Sequence, residues 1–302
     1  MKYRYLFFVL LVLVISLSVV SAHQNISDME SSIKSSTDMQ NSDSNLESSQ
    51  NIKELKQDSV TTKLTTVNYN QYFKYNPQTN QTMTTGLVYK GDTIDLDGTF
   101  RNVNFTLDKE NLTLTSINKN AKLINCTVSV TAENCKVSNL NINNTNYYGL
   151  GIFVNHTSNA YVFDNDVFVQ NLYAYGVVCD QMMNSTVKNN HITSKQLENP
   201  PLFSNYKQCA LVLTSSHNNK ILNNYVNCTF ANGIYLSVYG SVFMEGGYSD
   251  NNLIEGNYVL GGDTVWCYTI QVMGSNNIIR RNTVLGGHRG ISCEGKIGRA
   301  HV

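Results

Sequence analysis

One pattern recurs along this chain and fixes most of what it can fold into: Asn-x-x-aliphatic-x-x-Asn-x-aliphatic. It occurs at Asn159/Val162/Asn165/Val167, Asn184/Val187/Asn190/Ile192, Asn218/Ile221/Asn224/Val226, Asn251/Ile254/Asn257/Val259 and Asn276/Ile279/Asn282/Val284. An earlier copy, Asn134/Val137/Ile142, carries Leu140 in place of the second asparagine. Successive copies start 25, 25, 34, 33 and 25 residues apart, which is a base period of about 25 with two insertions. A second element precedes most copies: Gly151-Ile152-Phe153-Val154, Gly176-Val177-Val178-Cys179, Ala210-Leu211-Val212-Leu213, Gly233-Ile234-Tyr235-Leu236 and, near the end, Gly290-Ile291-Ser292-Cys293. Each reads as a short strand with alternate side chains inward. Short strands at this period, without hairpin spacing, describe one rung of a parallel β-helix. The expected class is all-β, a right-handed parallel β-helix over 67–295 with an N-terminal cap over 67–100.

Composition agrees with strands and tight turns. Asparagine accounts for 41 of 302 residues, beside 18 tyrosines, a mixture poor for helices. Aliphatic residues would stack as interior columns. The turn asparagines Asn165, Asn190, Asn224, Asn257 and Asn282 would bond the equivalent residue one rung along, and asparagine tolerates the left-handed conformation that corners require. Rung alignment predicts two outward columns: Phe153, Val178, Val212, Tyr235, Gln271, Ser292, and Asp166, His191, Tyr225, Tyr258, Thr283.

The ends read differently. Lys2 and Arg4 precede an apolar run from Leu6 to Val14, and Val20-Ser21-Ala22 supplies small residues, so 1–22 is expected to be a secretory signal cleaved after Ala22, the alternative being a retained N-terminal membrane anchor. Residues 23–66 lack a periodic apolar face and read as a flexible Ser/Asn-rich tether. The expected location is secreted or on the cell surface, associated with the wall. At the other end the repeat calls for another asparagine turn after Gly295. The sequence instead reads Lys296-Ile297-Gly298-Arg299-Ala300-His301-Val302, the in-frame translation of a common sequencing adapter. A non-native tail at 296–302, on a gene that continues past Gly295, is the expectation.

The segments "SSHNNKILNNYV", "SDNNLIEGNYVLGG" and "SNNIIRRNTVLGG", with "GDTIDLDGTF" at 91–100, resemble the right-handed parallel β-helices of the pectate-lyase-like superfamily. Within that group the likeness is to adhesin-like surface proteins of methanogenic archaea, over about residues 86–295. The resemblance implies architecture more than activity, because lyases, hydrolases, epimerases and pure binders share it.

Charge narrows the partners. Twenty-two basic and 22 acidic side chains balance, so no excess is available to neutralise phosphates and nucleic acid is excluded as a partner. Candidate glycan contacts are Tyr225 and Tyr258, stacked on one face, with Tyr235. To these the insertions 193–209 and 237–249 add Phe203, Tyr206 and Tyr239, and the two insertions are expected to line one flank as groove walls. No catalytic set is assigned: the columns Phe163, Lys188, Leu222, Glu255, Arg280 and Asp164, Asn189, Asn223, Gly256, Arg281 bring no three acids together, and Asp166 beside His191 lacks a third partner. Asp250, Glu245 and Asp263 are separate in sequence. Glu255 and Arg280 are expected to form an exposed ion pair. Seven cysteines show no CxxC spacing, and Cys179 and Cys293 fall at inward positions, so zinc is not expected and free buried thiols are. No motif supports calcium or another cofactor. Nine Asn-x-Ser/Thr sequons, at Asn25, Asn80, Asn104, Asn111, Asn125, Asn143, Asn155, Asn184 and Asn227, make N-glycosylation available to an exported chain. The expected function is an adhesin-like β-helix binding extracellular polysaccharide or another cell's surface along its solenoid face. The alternatives are a polysaccharide lyase or glycoside hydrolase, and a structural envelope spacer.

Overall fold

Each repeat folds into three short strands that pair with their counterparts one repeat away, not with each other. In the computed structural model, described over residues 59–171, 173, 175–195, 209–229, 232–237, 246–262 and 268–294, this gives three parallel sheets of nine, eight and eight strands. The first face runs from Thr61–Leu64 to Ile278–Arg280, the second from Thr99–Arg101 to Thr283–Gly286, and the third from Phe105–Leu107 to Arg289–Glu294. The fold is the right-handed parallel β-helix that the repeat implies. The signal segment and the 296–302 tail lie outside the described residues, as do Phe203, Tyr206 and Tyr239. No described helix is long and apolar enough to cross a membrane.

The alignment of the repeats holds rung by rung. On the first face Leu114, Val137, Val162, Val187, Ile221, Ile254 and Ile279 are consecutive partners, and on the second Ile142, Val167, Ile192, Val226 and Val259. All are buried and form one continuous apolar core. Cys179 stands between Val154 and Leu213 inside it. Each such side chain contributes about 1.5–3 kcal/mol of burial, which offsets the ordering of a chain with almost no local helix.

The repeat's two asparagines divide the turn work. The first, at Asn134, Asn159, Asn184, Asn218, Asn251 and Asn276, takes the left-handed conformation, with φ of 50–60°. The second does not; it stands one place after a left-handed residue, which is Asp164, Asn189, Asn223, Gly256 or Arg281. Its side chain builds a buried ladder. The backbone N–H and Nδ2 of Asn165 donate to Asn190 Oδ1 at 3.1 and 3.0 Å, and the same pair of bonds runs from Asn190 to Asn224, Asn224 to Asn257 and Asn257 to Asn282. Each Nδ2 also reaches a carbonyl one copy back, such as Val187 O from Asn224 at 3.0 Å. Leu140 starts the ladder with its backbone N–H alone, on Asn165 Oδ1 at 3.1 Å. A second ladder, legible only in part, runs through Ser185, Asn219, Asn252 and Asn277.

The N-terminal end is closed by a short helix, Tyr69–Tyr72, and an antiparallel hairpin, Phe73–Asn76 with Gln81–Thr84. Tyr69 and Phe73 stack at 5.5 Å and pack with Phe100 and Phe105 at ring distances of 5.3–6.4 Å, plugging the first rung. The tether boundary moves: Thr61–Leu64, inside the stretch read as unstructured, pairs in parallel with Thr93–Leu96. Leu64 is wholly buried, which supplies the apolar contact that composition alone hid. Thr93–Leu96 is therefore the second strand of its face.

Candidate functional site

The column expected to carry sugar-stacking rings forms as aligned. Asp166, His191, Tyr225, Tyr258 and Thr283 are successive partners on the second face. The rings of Tyr225 and Tyr258 lie 5.4 Å apart and 7° from parallel. Two coplanar six-membered rings at that distance would collide at their edges, so they overlap as an offset stack. His191 stands edge-on to Tyr225 at 4.7 Å. One flat face of Tyr225 is thereby covered by Tyr258, and His191 packs against the same ring. His191 Nδ1 lies 3.2 Å from Asp166 Oδ1, with both side chains more than half exposed, an arrangement worth little energetically.

The other outward column also holds its alignment, Phe153–Val178–Val212–Tyr235–Gln271–Ser292, but it is not solvent-facing throughout. Val178 is 0% and Val212 1% exposed. With Leu150, Tyr175 and Cys209 they make a second apolar cluster on the outside of the third face, flanked by half-buried Phe153, Tyr173 and Tyr235. Apolar side chains at outward positions were the available signal; a bare solenoid would leave them wet.

Beside this cluster lies an aromatic group that the repeat alignment did not single out. Tyr147 and Tyr148 sit on the turn between Asn141–Asn144 and Leu150–Asn155, and Tyr173 on the matching turn one rung on. Tyr148 stacks on Tyr173 at 5.2 Å, and Tyr147 meets them edge-on at 4.5 and 5.7 Å. Tyr147 and Tyr148 are each 51% exposed. Rings thus run from an open corner onto a covered sheet face.

The opposite edge of that face is polar. Asn155, Asp180, Thr214 and Ser237 are consecutive partners, and the last three are buried although they point outward. Thr214 Oγ1 is enclosed and makes no hydrogen bond. Burial pushes the neighbouring Cys179 thiol far up, and the Asp180 carboxylate adds to the shift. Asn232 links the rungs, donating from Nδ2 to Gln271 Oε1 at 3.0 Å and accepting from Tyr268 N–H at 2.8 Å.

The two insertions are anchored at different corners. The first leaves the second face at Lys195 and enters the third at Cys209, whereas the second leaves the third face at Ser237 and leads on to Leu253 of the first face. Their anchor points lie on opposite edges of the third face. Most of both insertions lies outside the described residues, as do Glu245 and Asp263.

The remaining candidates are structural. Glu255 accepts from Arg280 at 2.9 Å and Arg281 at 3.3 Å; the Arg280 hydrogen bond chiefly holds its carboxyl below the ordinary value. His217 Nδ1 accepts from the Asp250 N–H at 3.2 Å, an unforeseen contact that fixes a corner. Among the described residues no three His, Cys, Asp or Glu side chains gather as a metal site. The six described cysteines are free; burial raises the Cys126 thiol and pushes that of Cys135 up to about 11.

No family model matches the chain, and no curated protein matches it in sequence. Among solved structures it is similar to Geobacillus virus E2 ORF18, with a TM-score of 0.47, 10% identity, and coverage of 68% of this chain and 43% of that one. It is similar to the Dettilon tailspike protein, with TM-score 0.39 and 14% identity over 68% of this chain and 53% of the other. It is also similar to an alginate lyase from Paenibacillus sp. strain FPU-7, with TM-score 0.39 and 11% identity over 80% of this chain and 99% of the lyase. The chain thus spans about half or less of the first two proteins.

Proposed function

We propose that this protein is an adhesin-like surface β-helix that binds polysaccharide along its third face. The observation that supports the reading is the half-exposed Tyr147/Tyr148/Tyr173 group at the corner bordering this face, beside the half-buried rings of Phe153 and Tyr235. Clustered rings with polar groups at one edge suit the alternating apolar faces and hydroxyls of sugar rings. A long, shallow surface on a rigid solenoid favours many weak contacts with a polymer over a deep single-residue pocket. Display on a cell surface, with the N-terminal segment as the link, completes the proposal. The described side chains contain no catalytic constellation that would favour lyase or hydrolase chemistry over binding.

The test is retention of the full chain on immobilised polysaccharides and on intact cells. Wild type is expected to be retained, and Tyr147→Ala/Tyr148→Ala to lose about tenfold or more in affinity. Tyr225→Ala/Tyr258→Ala is expected to change binding less than about threefold, because those rings stand on the second face. No retention above an inert β-helix control overturns the reading. Release of unsaturated or reducing ends from the polymer would replace it with an enzymatic one.

A further inference from the structure

We infer that the first face docks a sulfated polysaccharide, at a surface separate from the third face. The basis is the set of outward positions on four consecutive strands, Lys136–Ser138, Tyr161–Phe163, Thr186–Lys188 and Lys220–Leu222. Register sets Lys136, Tyr161, Thr186 and Lys220 in one column, with Phe163 and Lys188 consecutive in the next. The charged side chains at these positions are all lysines. Lys136 and Lys220 are exposed and Lys188 is half-buried. Among the described residues none of the three has an ion pair. The acids bordering the strip are Glu133 and Asp164, exposed at its two corners, and Glu255, which Arg280 and Arg281 already engage at 2.9 and 3.3 Å. In a chain of zero net charge, the three lysines and two arginines outnumber these carboxylates, so the strip attracts anions.

Aromatic rings lie between the lysines. Tyr161 and Phe163, two places apart on one strand, stack at 4.5 Å and 29°. Lys136 stands one rung below them and Lys188 one rung above. A rung spacing of about 4.8 Å puts Lys136 and Lys220, three rungs apart, about 14 Å from each other along the axis. This is a strip, not a pocket, and it suits a polymer whose anionic groups recur along its length. The rings can meet the C–H faces of sugars while the ammonium groups meet the anions. Lysine presents a point charge on a flexible stem, which suits a tetrahedral sulfate ester. The planar forks that match carboxylates belong to Arg280 and Arg281, and Glu255 engages both.

The full chain is titrated with dextran sulfate, with polygalacturonate matched to it in charge per sugar, and with polyphosphate, which carries charge but no sugar. Dextran sulfate is expected to bind the most tightly of the three. With three ammonium contacts, log affinity should fall against log salt with a slope of about −2, more than tenfold between about 0.05 and 0.2 M. Lys188→Gln/Lys220→Gln is expected to lose about tenfold at the lower salt and to flatten the slope to about −1. Lys122→Gln/Lys195→Gln removes the same charge from the second face and should change affinity less than about twofold. Both pairs of substitutions replace side chains without an ion pair among the described residues, so both variants should melt with wild type. Tyr147→Ala/Tyr148→Ala should leave dextran sulfate binding intact, which separates this surface from the border of the third face. Equal losses in the two lysine variants overturn the inference, as does polygalacturonate or polyphosphate binding as tightly as dextran sulfate. Loss of dextran sulfate binding in the tyrosine variant overturns it by assigning that polymer to the other site. No dextran sulfate binding at all overturns it too and leaves the proposed function standing on its own polymers.

Discussion

Replacing Asn224 by alanine removes the middle of the buried ladder. Four hydrogen bonds go: Oδ1 accepts from Asn190 N–H and Nδ2, each at 3.0 Å, and Nδ2 donates to Asn257 Oδ1 at 2.9 Å and Val187 O at 3.0 Å. The Asn190 N–H is left buried without an acceptor, because Asn190 is 1% exposed. That orphan costs about 1–3 kcal/mol, and the other bonds about 0.5–1.5 kcal/mol each, for a loss of about 4 kcal/mol. Asn282, at the last rung and partly exposed, makes the same kind of bonds where water can replace them, and its alanine variant should lose about 1 kcal/mol. A solenoid need not unfold in one step, so the readout is amide hydrogen exchange together with the urea midpoint. The Asn190 amide should exchange up to about a thousandfold faster in Asn224→Ala. Asn224→Leu restores volume without the bonds and should not rescue. If Leu restores wild-type stability, or if Asn224→Ala costs no more than Asn282→Ala, the ladder is packing and the hydrogen-bond argument is wrong.

Three further outcomes follow from the same structure. Lys63 and Asp97 pair at 2.5 Å and hold the first strand; their mutual hydrogen bond raises the lysine and lowers the aspartate. The lowered Asp97 contributes above its unfolded value near about 4 and the raised Lys63 below about 10.4, so exchange protection of Thr61–Leu64 should fall below and above that window and should not change inside it. Thiol titration of the native protein at pH 8 should find Cys293, the half-exposed one of the six described cysteines, reacting first; rapid labelling of Cys126, Cys135 or Cys179 would contradict their burial. Gly176→Ala should lower stability by about 1–3 kcal/mol in thermal melts, because its Cβ would lie 2.4 Å from Ile192 Cγ2 and 2.6 Å from Ala210 O.

The frame was legible because a β-helix writes its register into the sequence. A residue's partner lies one period away, so aligning copies placed Glu255 against Arg280 and Cys179 against Val154 and Leu213 without knowledge of any contact. Conformation within the corner was less legible, since both repeat asparagines favour turns. Only the backbone shows that Asn159 turns left-handed while Asn165 reaches along the axis. Coverage was not legible at all. Periodicity says that Val178 faces outward but not what lies above it, and the contacts that bury it are long-range. Tyr147 and Tyr148 escaped because their corner varies from rung to rung, whereas the alignment weighed positions that repeat. Thr61–Leu64 escaped for the opposite reason: it is one short strand with no neighbouring copy to mark its phase.

The three corners differ in what they permit. From the rung at Lys136 onward, the turn from the first face to the second always takes two residues, one left-handed and the next held by the main ladder. An added residue there would carry the asparagine off its axis and break bonds on both sides. The other corners vary in length even though the second ladder runs through the one from the third face to the first: 13 residues separate Lys195 from Cys209, against 4 between Gln170 and Tyr175, and 15 separate Ser237 from Leu253, against 5 between Thr214 and Lys220. Length variation is therefore confined by hydrogen-bond geometry to the borders of the third face. Loops at those borders can be exchanged without disturbing the frame, and a protein engineer should graft between Lys195 and Cys209 and leave Asn189-Asn190 alone.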